Sequence, residues 1–119
     1  MNWIAIAIGG LLGVMSRALL ASYLPSLNGV SVAIFIVNVV GCGLAGAVTA
    51  YGEGHQLPSW LILGIGVGFL GGLTTFSGLL LDAFTLIKNG SSWFALFYVS
   101  ANLIVGFGML IGCYKWTNS

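Results

Sequence analysis

The sequence predicts an all-α membrane protein of four transmembrane helices, with the third helix broken mid-membrane. Three observations lead there. Only 4% of the 119 residues are charged and 59% are hydrophobic, with a mean hydropathy of +1.10; a soluble domain carries about 25% charged residues. The apolar residues fall into four runs, each about 20 residues or longer, the length a helix needs to cross the hydrocarbon of a bilayer. The third run contains Gly64–Leu79, G-I-G-V-G-F-L-G-G-L-T-T-F-S-G-L, where five glycines and a Thr-Thr-Phe-Ser stretch interrupt it near its middle. In lipid an unpartnered backbone group is costly, so a helix breaks only where protein or a watery cavity shelters the break. Such breaks expose carbonyls and amides that can hold ions. The rest of the chain reads as a frame around this one.

The first span is expected from about Trp3 to Tyr23. Gly9 and Gly13 form a GxxxG pair, which lets another helix approach closely. Arg17 lies about six residues before the end of the span. Two readings of it stand: a side chain snorkelling to the headgroups, or a buried or vestibule charge. Leu24–Val30, with Pro25, Asn28 and Gly29, reads as a short loop.

The second span is expected from about Ser31 to Tyr51, with Asn38 as its one strongly polar side chain. Spacing alone favours Asn38 as an interhelical hydrogen-bonding residue over an amide facing a permeating ion. Gly52–Pro58 forms the second loop, and its Glu53 and His55 read as solvated. The third span, about Ser59 to Lys88, is about 30 residues long, which suits two half-helices around a break. Gly64, Gly68 and Gly72 mark a close-packing seam, and Asp82 lies about six residues from the end. After a loop at Asn89–Ser92, the fourth span runs from about Trp93 to Trp116. Its Gly108 and Gly112 form a further GxxxG pair, while Tyr98 and Asn102 share a face and read first as interhelical hydrogen bonders. Trp3, Tyr23, Tyr51, Trp60, Trp93, Tyr114 and Trp116 fall near span ends, as interfacial belts require.

A net charge of +1 provides no basic face for nucleic acid. Cys42 and Cys113 lie in apolar spans without metal-ligand spacing and read as small packing residues. No base lies beside a serine or threonine, and phosphate loops and dinucleotide fingerprints are absent, so an enzyme is not expected. Lys and Arg are nearly balanced between the two sides, which permits insertion in both orientations and hence an antiparallel dimer. The glycine seams point the same way, towards association. Arg17 and Asp82 sit at similar depth on the same side, so an ion pair between them within the subunit is expected.

Four signatures resemble the small dual-topology fluoride channels, the Fluc or CrcB family. They are Gly9, Gly10, Gly13 and Arg17 in the first span; Asn38, Gly41 and Gly46 in the second; Gly68, Gly71, Gly72, Thr74, Thr75, Phe76 and Ser77 in the third; and the acidic Asp82 after that run. The resemblance covers the whole chain, and its third-span motif is the specific part. It implies a multi-pass protein of the bacterial cell membrane that forms an antiparallel dimer with two pores, as a homodimer or with a related subunit. It further implies a structural Na⁺ on the dimer axis held by the carbonyls of Gly71 and Thr74. In the pore it implies that Asn38 faces fluoride, with Phe76, Thr75, Ser77, Tyr98 and Asn102 along the path. An aromatic ring edge carries positive quadrupole charge and can face an anion.

The chain departs from the family pattern T-F-S-T-F-S by reading T-F-S-G-L-L, with Gly78, Leu79 and Leu80 in the second half and Asp82 where Glu is usual. Leu79 supplies bulk without a quadrupole. The resemblance therefore implies a weak channel when like pairs with like and a better one beside a related subunit that keeps both aromatics. Leu79→Phe, with or without Gly78→Thr, is expected to improve the homodimer, the other reading being that Leu79 faces lipid or only packs. The expected function is a passive fluoride channel, or one subunit of it, that exports fluoride and relieves its toxicity. The alternatives are a small dimeric multidrug antiporter, which needs an intramembrane carboxylate that the first span lacks, and a non-conducting structural subunit.

Overall fold

The computed structural model describes all 119 residues and is almost wholly helical. Helix α1 spans Asn2–Tyr23. A two-stranded ribbon follows, β1 (Ser26–Leu27) and β2 (Val30–Ser31), with Ser26 opposite Ser31 and Leu27 opposite Val30. Helix α2 is Val32–Gly54. The third segment starts as α3 (Ser59–Leu63), continues as a π-helix over Gly64–Leu70, and closes with one turn, α4 (Gly71–Leu73). After Thr74 and Thr75 it resumes as α5 (Phe76–Lys88), and α6 is Ser92–Asn118. Four stretches are long and apolar enough to cross a membrane: Asn2–Tyr23, Val32–Gly54, Ser59–Lys88 and Ser92–Asn118. The expected spans agree with these to within a few residues. The chain is a multi-pass membrane protein.

The expected first loop contains more order than its Pro and Gly suggested. Asn28 and Gly29 have φ of 53° and 85°. Positive φ at both central residues is the geometry that joins two strands through a two-residue turn, and Asn-Gly is its preferred sequence.

The helices form a slab of 50 × 31 × 20 Å. Within it, α1 packs along α3, the π segment and α4, while α2 packs along α6 and α5 packs on α6. Backbone-to-backbone approach explains the glycines of the first pairing. A Cβ on Gly72 would lie 2.7 Å from the Gly10 carbonyl oxygen, and one on Gly68 would lie 2.6 Å from that of Ile6. Cβ atoms on Gly9 and Gly13 would likewise run into the Gly64 and Phe69 carbonyls. The Gly9/Gly13 pair and the Gly64/Gly68/Gly72 seam therefore face each other inside one subunit. They do not supply the surface for association that their spacing suggested. Gly108 and Gly112 remain open, with nothing within 4 Å of a Cβ.

Two small cores sit on either side of the break. Val37, Leu70 and Leu73 form one. Val30, Leu79, Ala83, Leu86, Ala95 and Tyr98 form the other. Most remaining large apolar side chains point outward, as expected where lipid is the solvent. Trp3, Trp93, Trp116 and Tyr23 are all strongly exposed at helix ends, matching an interfacial belt.

Candidate functional site: a pinned break in the third segment

The five glycines expected to break the third segment stay helical. The first turns loosen into a π-helix, and the true interruption is two residues long. Thr74 (φ −86°, ψ 156°) and Thr75 (φ −148°, ψ 122°) are extended. β-branched residues favour this conformation. Thr74 also closes the helix behind it, since both its N–H and its Oγ1 donate to the Leu70 carbonyl, at 3.0 and 2.9 Å. Thr75 opens the helix ahead. Its Oγ1 accepts the Gly78 N–H at 3.0 Å, an N-cap bond.

Asn38 of α2 holds the break from the side. Its Oδ1 accepts the Thr75 N–H at 2.8 Å, and its Nδ2 donates to the Thr75 carbonyl at 3.1 Å. One amide thus stands in for the strand neighbour that an extended residue would otherwise need. The second Nδ2 hydrogen goes to Asn102 Oδ1 at 3.1 Å, and Asn102 Nδ2 in turn donates to the Tyr98 carbonyl at 3.0 Å. Tyr98 O–H donates to Asp82 Oδ2 at 3.2 Å, and the same oxygen accepts the Ser31 N–H at 3.2 Å. A polar line therefore runs from the ribbon, through Asp82, Tyr98, Asn102 and Asn38, to the break. No buried side-chain polar atom lacks a partner.

These bonds leave other backbone groups free. In an unbroken helix the Gly71 carbonyl would accept from Thr75 N–H, and the Thr74 carbonyl from Gly78 N–H. Those two donors are taken by Asn38 and by Thr75 Oγ1. Gly71 and Thr74, the two positions that resemblance assigns to Na⁺, are thus residues whose carbonyls the break releases. Bare carbonyl oxygens are the donors a hard monovalent cation takes at a broken helix, so the residues present fit that ion. On the other side, Phe76 and Ser77 open α5, where the first N–H groups of a helix find no acceptor within it. Such amides, at the positive end of a 13-residue helix, favour an anion.

The break lines a cleft of about 380 Å³. Asn38, Gly71, Thr74, Thr75, Phe76, Leu79 and Asn102 border it, together with Gly41, Cys42, Gly66 and other residues of α2, α6 and the π segment. Phe76 is 68% exposed. Ser77 is exposed too and lies 3.4 Å from Thr75 Oγ1. Tyr98 does not border the cleft: it is buried and reaches the break only through Asn102.

Two expectations need correction. Arg17 and Asp82 do not pair. Helix α1 packs on α3, the π segment and α4 rather than α5, and the Asp82 carboxylate is held by Ser31 and Tyr98. Equal depth fixed the height of the two residues but not the direction each faces. Leu79, which stands where the family pattern has a second aromatic on the path, borders the cleft but is not exposed in it as Phe76 is. It is 3% exposed and packs with Val30, Ala83, Leu86, Ala95 and Tyr98. Sequence reasoning also missed Ser31, which acts through its backbone amide and so carries no residue-type signal.

Fold and site together define a helical multi-pass membrane protein whose third span offers free carbonyls and free amides at one break. The chain belongs to the CrcB family: the family described as "CrcB-like protein, Camphor Resistance (CrcB)" matches residues 4–114. Similar curated proteins carry one name. The fluoride-specific ion channel FluC of Oceanobacillus iheyensis is 31% identical over 110 residues, covering 91% of this chain and 84% of the relative. Fluoride-specific ion channel FluC 3 of Yersinia pseudotuberculosis is 32% identical over 116 residues, covering 92% and 87%. The fluoride-specific ion channel FluC of Prosthecochloris aestuarii is 37% identical over 100 residues, covering 82% and 78%.

Proposed function

We propose that this protein is a fluoride-selective passive channel, or one subunit of one, that lets fluoride leave the cell. The observation that carries this is its membership of the CrcB family, with relatives named as fluoride-specific ion channels along most of their length. The antiporter and structural-subunit alternatives gain no support from these relatives, and no enzymatic activity is proposed.

The chemistry of the break agrees. Fluoride is small and strongly hydrated, so a path must supply donors in place of water. The Phe76 and Ser77 amides, the Ser77 hydroxyl and the Phe76 ring edge are such donors. Asn38 acts as a positioning residue: both hydrogens of its amide are committed, and it serves the path by holding Thr75 extended.

The functional unit in this proposal is an antiparallel dimer in the bacterial cell membrane, of two like subunits or of this chain with a related one. A body only 20 Å thick that leaves Phe76 68% exposed beside the break supports a second subunit. Gly71 and Thr74 would hold a structural Na⁺ through their carbonyls. When bound, that ion supplies positive charge to otherwise unpaired carbonyls. Expression in a bacterial strain made fluoride-sensitive by loss of its own exporter tests the function. Restored growth in fluoride supports it, and unchanged sensitivity with the protein present in the membrane, both alone and with a related subunit, contradicts it.

A further inference from the structure

A second cavity, of about 320 Å³, lies beside α2. Three of its lining residues, Ala45, Gly66 and Leu70, also line the cleft at the break. The two cavities therefore adjoin along these residues and together make a trough. It runs from the break to the end of the molecule where α2 stops and α3 starts. Glu53, on the last turn of α2, borders its outer end.

We propose that Glu53 is a fixed negative charge at the mouth of this trough that limits how fast anions enter it. The inference rests on the fluoride-channel reading above. Glu53 is one of only two acidic residues in the chain. The other, Asp82, is tied to Ser31 and Tyr98 away from the cleft lining. Glu53 is exposed, yet it is not left to sweep through solvent, because the Tyr114 hydroxyl of α6 donates to its Oε2. A neutral phenol holds the carboxylate in place without cancelling its charge. A unit charge about 7 Å away in water amounts to about one RT, enough to lower anion occupancy about threefold. Low-dielectric walls focus the field and increase that effect. The same charge disfavours every anion, so it acts on rate and leaves discrimination to the break.

Glu53→Gln separates charge from shape, since a glutamine oxygen still accepts from Tyr114. Fluoride efflux from liposomes is measured at an ionic strength of about 10 mM and again at about 1 M, where the Debye length falls from about 30 to about 3 Å. The expected result is a gain of about threefold in Glu53→Gln at low ionic strength that vanishes at high ionic strength. Tyr114→Phe releases the carboxylate, so it gives part of that gain, and the double variant gives no more than Glu53→Gln alone. A Glu53→Gln flux equal to wild type at both ionic strengths overturns the inference, as does a gain of the same size at both. Wild-type liposomes that pass no fluoride at either ionic strength, with or without a related subunit, defeat the channel reading, and this inference falls with it.

Discussion

The Asn38 side-chain amide brackets the backbone of Thr75, a residue 37 positions away, with one bond to its N–H and one to its carbonyl. The break is thereby held by a neighbouring helix rather than by its own sequence. Asn38→Ala leaves both groups without a partner in a water-poor setting, at about 1–3 kcal/mol for each buried unsatisfied group. The expected outcome is a clear fall in melting temperature in detergent together with loss of fluoride flux. Asn38→Asp keeps the bond from Thr75 N–H but loses both donors, so it is expected to be damaged as well. A melting temperature like wild type in both variants would show that the break stands without Asn38.

Asp82 and Tyr98 belong to the far end of the same polar line. Their coupling replaces the Arg17–Asp82 pair that depth alone suggested. A double-mutant cycle of Asp82→Asn and Tyr98→Phe is expected to show an interaction of about 0.5–3 kcal/mol, while Arg17→Ala with Asp82→Asn adds to within about 0.5 kcal/mol. The reverse ordering of the two couplings would contradict the geometry.

The glycines divide into those inside the subunit and those outside. Gly13→Ala and Gly46→Ala place a methyl against the Phe69 and Leu110 carbonyls. Each is expected to cost about 1–3 kcal/mol or more, because backbone cannot step aside as a side chain can. Gly108→Ala meets nothing within 4 Å in the subunit and is expected to leave its stability unchanged. Thermal unfolding of the three variants separates these groups.

Leu79 is a core residue, so Leu79→Phe is expected to overpack the cluster around Tyr98, at about 1–3 kcal/mol. The gain in flux expected from the family pattern is therefore not expected from this substitution alone. Gly78→Thr adds a Cβ 2.8 Å from Thr75 Cγ2 and disturbs the cap that starts α5. Its cost is about 1 kcal/mol, that of a lost N-cap. Higher flux in a Leu79→Phe protein that melts like wild type would place Leu79 in the path after all.

The sequence shows the spans, the loops and the segment containing the break, because bilayer thickness constrains length and composition directly. Its Asn-Gly pair also signalled the ribbon turn, although Leu24–Val30 read only as a loop. The details of the site are less visible. Which glycines break the helix depends on what each packs against, and here the glycines of the third segment pack on α1 and stay helical. Asn38 stands out as a lone polar residue, but its partner is a backbone unit exposed only once Thr74 and Thr75 are extended. The Arg17–Asp82 pair failed for a related reason: position along a helix can be counted, while the direction a residue faces depends on which helix lies beside it.

The central claim is selective fluoride conduction, and anion efflux from liposomes containing the purified protein tests it most directly. Vesicles loaded with equal fluoride and chloride are opened to a potassium shunt, and each ion is followed with its own electrode. Fluoride release well above that of protein-free vesicles, with chloride retained, is the predicted result. Equal release of both ions, or no fluoride release from vesicles shown to contain folded protein, both alone and together with a related subunit, contradicts it.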